Sequence, residues 1–146
     1  MTLHNHRYWF ALALVLAGTA CAGSDMKSYT PVKEKTKFAP EVLFTASERA
    51  LEAAGHITTE SDRERYTLET REKEVFVSSV PRLSYRYRYR VGTAGGVLTI
   101  DTTCKQNSAM ARTEYEDCGD ERPGRLLAEL DDVKKDILER AKARAK

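Results

Sequence analysis

Between Leu83 and Val91 the chain alternates without a break. Leu83, Tyr85, Tyr87, Tyr89 and Val91 hold the odd positions, and Arg82, Ser84, Arg86, Arg88 and Arg90 the even ones. A period of two marks a strand with one buried face, because successive side chains point to opposite sides of a sheet. The turn Gly92-Thr93-Ala94-Gly95-Gly96 follows, with the glycines that a hairpin needs. The chain then returns from Val97 to Cys104, with Leu98, Ile100 and Cys104 on one face and Thr99, Asp101 and Thr103 on the other. An isolated hairpin is at best marginal in water. This one needs further strands and a cover for its apolar side.

The flanking sequence supplies both. Tyr66, Leu68 and Thr70 alternate with Thr67, Glu69 and Arg71 as a third strand. Val75 to Pro81 either extends that strand past a bulge or forms a connection. Pro40 suits the first turn of a helix running to about Ala54, with Leu43, Ala46 or Ser47, Ala50 and Ala54 on one face, Leu51 beside them and Gly55 as its stop. His56 to Thr59 starts a strand, and Glu60 to Arg65 is a charged turn. From Pro123 to about Ala145, Leu126, Leu130, Val133, Ile137 and Ala141 recur at spacings of four and three, the stripe of a helix lying on a sheet. Asp131 with Lys135 and Asp136 with Arg140 are spaced as surface pairs on that helix. The expected fold is α+β: a two-layer sandwich with an antiparallel sheet of three to four strands, covered by an N-terminal and a C-terminal helix in α-β-β-β-α order. Residues 40–146 are expected to form this single domain.

The N-terminus reads as an address. Arg7 precedes an apolar run from Tyr8 to Ala17, and small residues follow: Gly18-Thr19-Ala20-Cys21-Ala22-Gly23-Ser24. Cation, apolar stretch and small-residue cleavage zone are the layout of a secretory signal peptide. A spanning helix needs about 20 apolar residues, more than this run offers; an uncleaved anchor and ordinary cleavage after Ala22 are the rival readings. Residues 21–39 lack apolar periodicity and hold four lysines, Lys27, Lys33, Lys35 and Lys37. They read as a flexible tether, with weak attraction to anionic headgroups as a secondary role.

The run ending in Ala20-Cys21 resembles the lipobox of bacterial lipoproteins, in which diacylglycerol is attached to the cysteine and the peptide is cut before it. That resemblance implies residues 1–20 as signal peptide, Cys21 as the acylated N-terminus, and a cell-envelope protein facing the periplasm. Ala22, where Asp would signal inner-membrane retention in such proteins, points to the outer membrane. His4 and His6 then fall in the removed segment. The junction Ala50-Leu51-Glu52-Ala53-Ala54-Gly55-His56-Ile57 and the C-terminal helix are similar to the small α/β domains of outer-membrane lipoproteins such as BamC. This implies a scaffold or assembly role.

Three cysteines are an odd count. Acylation of Cys21 leaves Cys104 and Cys118, which in an oxidising compartment are expected as a disulfide; the alternative redox or metal pair lacks Cys-x-x-Cys spacing and histidines. His56, the remaining histidine, is expected at a helix C-terminus as a favourably placed cation. Arg86, Arg88 and Arg90 share one strand face. They are either a cross-strand charge ladder with Glu69 and Asp101 or a strip that captures phosphate or carboxylate groups of an envelope molecule. With 24 Lys+Arg against 22 Asp+Glu, the charge balance speaks against a nucleic-acid binder. Neither a catalytic set, a metal site nor a cofactor is expected. The expected function is a membrane-anchored lipoprotein with a structural or protein-interaction role and no enzymatic activity. The alternative is a binding module for an anionic envelope ligand.

Overall fold

The structure, a computed structural model, describes residues 26–79, 82–108 and 116–145. Its elements in chain order are β1 (Lys27–Ser28), β2 (Val32–Lys35), α1 (Pro40–Ala53), β3 (Thr58–Asp62), β4 (Thr67–Thr70), β5 (Lys73–Ser79), β6 (Arg82–Gly92), β7 (Val97–Ser108), β8 (Glu116–Asp117) and α2 (Gly124–Arg144).

The β6–β7 hairpin is the spine of the sheet, in antiparallel register from Leu83↔Ser108 to Gly92↔Thr99. Its turn needs glycine. Gly95 and Gly96 have φ of 64° and 72°, in the left-handed region that a Cβ disfavours. A Cβ on Gly96 would also lie 3.0 Å from the Phe38 carbonyl oxygen. That close approach lets Thr36 donate to the Gly96 carbonyl from both its amide and its hydroxyl, at 3.0 and 2.9 Å.

The architecture is α+β as expected, with an antiparallel sheet and two helices, but the sheet is wider than three to four strands. Among the described residues eight strands join it. β4 and β5 lie end to end along the free side of β6. The Val75–Pro81 question is thereby settled as far as Ser79: this stretch extends the third strand after a break at Arg71-Glu72, and its register shifts between Phe76 and Ser78. β3 pairs outside β4 and takes in residues expected as a charged turn. The turn itself starts three positions later, at Arg63, where Asp62 Oδ1 accepts from the amides of Glu64 and Arg65, both at 3.0 Å.

The expected tether over 21–39 and the domain boundary at 40 are corrected from Met26 on. β1 and β2 pair along the free side of β7, with Lys27↔Cys104 and Lys35↔Val97 as outer registers. The element order therefore begins with strands, not with a helix. Edge strands are half-solvated, so lysines along one are compatible with pairing and protect it from unwanted partners. Residues 21–25 lie outside the described residues.

Both helices have the expected faces. α1 buries Leu43, Phe44, Ala46, Ser47, Ala50 and Leu51, and α2 buries Leu126, Leu130, Val133, Ile137 and Ala141. They share one cluster with Leu68, Tyr87, Tyr89, Val91, Leu98, Ile100 and Cys104, so the odd side of the β6 alternation lies under the helices. Among the described residues, every buried apolar one falls between Leu43 and Ala141. On the surface of α2, Asp136 pairs with Arg140 at 2.8 Å as spaced, whereas Asp131 pairs with Lys134 at 3.8 Å and not with Lys135.

Candidate functional site

Arg88 and Arg90 are exposed on the side of the sheet away from the helices, and Arg86 is half-exposed beside them. The neighbouring strands place acids against this row. Arg88 Nη1 meets Glu69 Oε1 at 2.8 Å, and its Nε donates to Thr103 Oγ1 at 3.2 Å. Arg86 Nη2 meets Glu74 Oε2 at 3.4 Å, while the other oxygen of Glu74 accepts from Ser84 Oγ at 2.9 Å. Lys105 continues the pattern with Glu72 at 3.2 Å. Arg90 stands in register between Glu69 on β4 and Asp101 on β7. A shallow pocket of about 210 Å³ on this face is lined by Glu69, Arg88, Arg90, Asp101 and Thr103, so both signs of charge border it. The geometry is that of a charge ladder. Glu69 was legible as a partner; Glu72 and Glu74 were not, because their strand position depended on where β5 falls.

A ladder of this kind has a modest energetic weight, because its pairs are partly solvated. Arg86→Ala combined with Arg88→Ala is expected to lower unfolding free energy by about 1 kcal/mol. A urea melt checks it, and a loss above about 3 kcal/mol would mean that the row carries more of the fold than cross-strand pairs do.

A second polar group lies under the helices. α1 ends in a Schellman-type turn: Gly55, at φ 77°, donates to the Glu52 carbonyl, and the His56 amide donates to Leu51, both at 2.9 Å. The turn drives His56 inward, where its side chain is fully buried. Its Nε2 hydrogen-bonds Glu129 Oε1 of α2 at 2.7 Å. Lys73 Nζ donates to the same oxygen at 3.1 Å and to the Ala54 carbonyl at 2.8 Å. The Tyr87 hydroxyl donates to Glu129 Oε2. The His56 ring also lies 4.9 Å from that of Tyr89, centroid to centroid.

Burial pushes the Glu129 carboxyl up, but the hydrogen bonds from His56, Tyr87 and Lys73 outweigh it and hold the group at about 2. Burial, with Glu129 beside it, raises the Tyr87 hydroxyl; Tyr89 is raised chiefly by burial. A carboxylate saturated by three donors is a poor proton acceptor. The cluster acts as a clasp joining the end of α1, β5, β6 and α2. His56 was expected as a cation at a helix terminus; the structure gives it a half-buried acid as partner. Glu129 itself was overlooked, although its spacing of three from Leu126 and four from Val133 put an acid on the apolar flank of α2.

Cys104 and Cys118 are disulfide-bonded, with Cα atoms 5.8 Å apart. The bond holds β7 to the segment leading into α2. That segment in turn grips the N-terminal edge: Asp120 pairs with Lys27 at 2.8 Å, and the Arg122 guanidinium lies over the Tyr29 ring at 5.1 Å and donates to the Thr30 carbonyl. Cys21 lies outside the described residues. Among the described residues no group of three His, Cys, Asp or Glu side chains is placed to hold a metal ion.

No protein-family model matches this chain, and no curated protein does. Solved structures do. A TBP-like protein from Parabacteroides distasonis superposes with a TM-score of 0.54 at 13% identity, covering 80% of this chain and 93% of its own. A DUF4468 family protein from Bacteroides ovatus gives 0.51 at 11% identity, covering 77% and 84%. At these identities the likeness is one of fold. Neither of these two is a BamC domain, the resemblance expected from the helix–strand junction.

Proposed function

We propose that the chain is a lipid-anchored protein of the bacterial cell envelope, attached through Cys21 and facing the periplasm. Its α+β domain serves a structural or protein-interaction role and no enzymatic one. The observation that carries this reading is cysteine pairing. The disulfide takes Cys104 and Cys118, which leaves Cys21 as the remaining one of three cysteines, at the end of an apolar run and beside small residues. An oxidising compartment suits the disulfide, and acylation suits the cysteine outside it. Ala22 after Cys21 supports the outer membrane over the inner. Nucleic acid is not proposed as a partner, given the near balance of charge.

Acyl chains on Cys21 would hold the protein firmly, at about 0.8 kcal/mol per buried methylene. The expected result is that wild type fractionates with membranes and carries acyl mass on its N-terminal peptide, while Cys21→Ser is released in soluble form. Retention of Cys21→Ser in membranes, with no acyl mass on wild type, would refute the assignment. The alternative, capture of an anionic envelope ligand on Arg86, Arg88 and Arg90, is weakened by the Glu69 and Glu74 pairs that occupy Arg88 and Arg86.

A further inference from the structure

Among the described residues, a different set of cations has no such ion-pair partners. Lys35 at the end of β2, Lys37 just after it, and Lys135 and Lys142 on α2 are all exposed. They rim a groove of about 730 Å³ between the N-terminal edge strand and the C-terminal half of α2. Phe38 and Leu138 line it and are half-buried against the core. Glu34 and Glu139 are the acids that line it, and Lys134 beside them is paired with Asp131. Among the described residues no ion pair within 4.0 Å engages Lys35, Lys37, Lys135 or Lys142. The open face of the sheet, by contrast, gives Arg86, Arg88 and Lys105 a glutamate each.

We propose that this groove and the adjoining edge strand are the face that docks on an anionic phospholipid surface. Unpaired ammonium groups around an apolar floor match an anionic amphiphile: phosphate oxygens meet the lysines, and the apolar part beneath the headgroup meets Phe38 and Leu138. Position supports the same occupant and rests on the Cys21 anchor. Cys21 lies five positions before Met26, a reach of at most about 18 Å. From Lys27 the edge strand runs on to Lys35, about 26 Å at strand rise. A domain on so short a leash lies against the bilayer, and laying this edge flat on it brings anchor and groove into one plane. Juxtamembrane lysines each strengthen attraction to an anionic leaflet, and the effect fades within a Debye length.

The test uses the chain from Ala22 on, which retains every described residue of the core and carries no acyl group. Sedimentation with phosphatidylcholine vesicles, with and without phosphatidylglycerol, reads the binding. The unlipidated chain is expected to bind the phosphatidylglycerol vesicles, to release at high salt, and to ignore phosphatidylcholine alone. Lys35→Glu, Lys135→Glu and Lys142→Glu together should weaken binding by about tenfold or more with an unchanged melting temperature; the matching glutamine triple serves if charge reversal impairs folding. Arg86→Ala with Arg88→Ala should bind as wild type does. Equal binding to both vesicle types, or binding indifferent to the lysine triple, overturns the proposal. Capture of polyglutamate without capture of vesicles also overturns it, in favour of an acidic polypeptide partner. Since no acyl chain is present, failure of the Cys21 assignment would appear only as missing acyl mass and leaves this result independent.

Discussion

Glu129→Gln is expected to lower unfolding free energy by about 2–4 kcal/mol at neutral pH. The substitution keeps the shape but removes the charge, leaving buried His56 and half-buried Lys73 without the anion they share at 2.7 and 3.1 Å and putting an amide NH2 donor in place of one carboxylate oxygen. A paired group buried this deeply loses more on removal of its partner than an exposed pair does. The pH dependence follows from the direction of the shift. The carboxyl is held at about 2 in the folded chain, below its ordinary value of 4.5. A depressed carboxylate contributes stability that is fully present above the unfolded value and is lost as pH falls through the folded one. The advantage of wild type over Glu129→Gln should therefore be constant near neutrality, shrink below about pH 4.5 and largely vanish near pH 2. Urea denaturation of both proteins across that range is the measurement. A gap that stays level down to pH 2.5 would show that the carboxylate is not what the clasp stabilises.

Removing the disulfide should cost a similar amount. Cys104 and Cys118 are separated by 14 positions, and closing a loop of that size restricts the unfolded chain by about 3 kcal/mol. For a domain of this length that corresponds to a fall of roughly 10 °C in Tm. The double variant Cys104→Ala with Cys118→Ala and reduced wild type should melt alike. Either single variant should fall as far as the double, since the bond needs both sulfurs. The edge strand should loosen with it, because Asp120 and Arg122, just past Cys118, hold Lys27, Tyr29 and Thr30. Hydrogen exchange at the amides of β1 and β2 would rise first. Equal melting of oxidised and reduced protein would remove the bond from any account of stability.

What the amino-acid sequence determined by itself was everything with a local period or a local stop. The alternation from Leu83 to Val91 specified β6 and its buried side, and glycines marked the turn into β7. The Leu126-to-Ala141 stripe specified α2, and Pro40 and Gly55 bounded α1 to within two residues of Pro40–Ala53. These features are written in neighbours three or four apart in a helix and two apart in a strand, so a short window holds them. The cysteine pairing was legible for another reason: only two remained once Cys21 was set aside.

Tertiary structure alone decided the rest. Lys27–Ser28 and Val32–Lys35 have no apolar period to announce a strand; they are strands because β7 has a free edge some 70 residues away, as the registers Lys27↔Cys104 and Lys35↔Val97 show. Glu72 and Glu74 became partners of Lys105 and Arg86 only when β5 took its place beside β6. His56 and Glu129 are 73 positions apart, and nothing near either one in sequence names the other. Hydrogen bonds across a sheet and ion pairs under a helix form after distant segments meet, and their free energy depends on burial that the fold creates. The lysine-rimmed groove is of the same kind, since its two walls come from opposite ends of the chain.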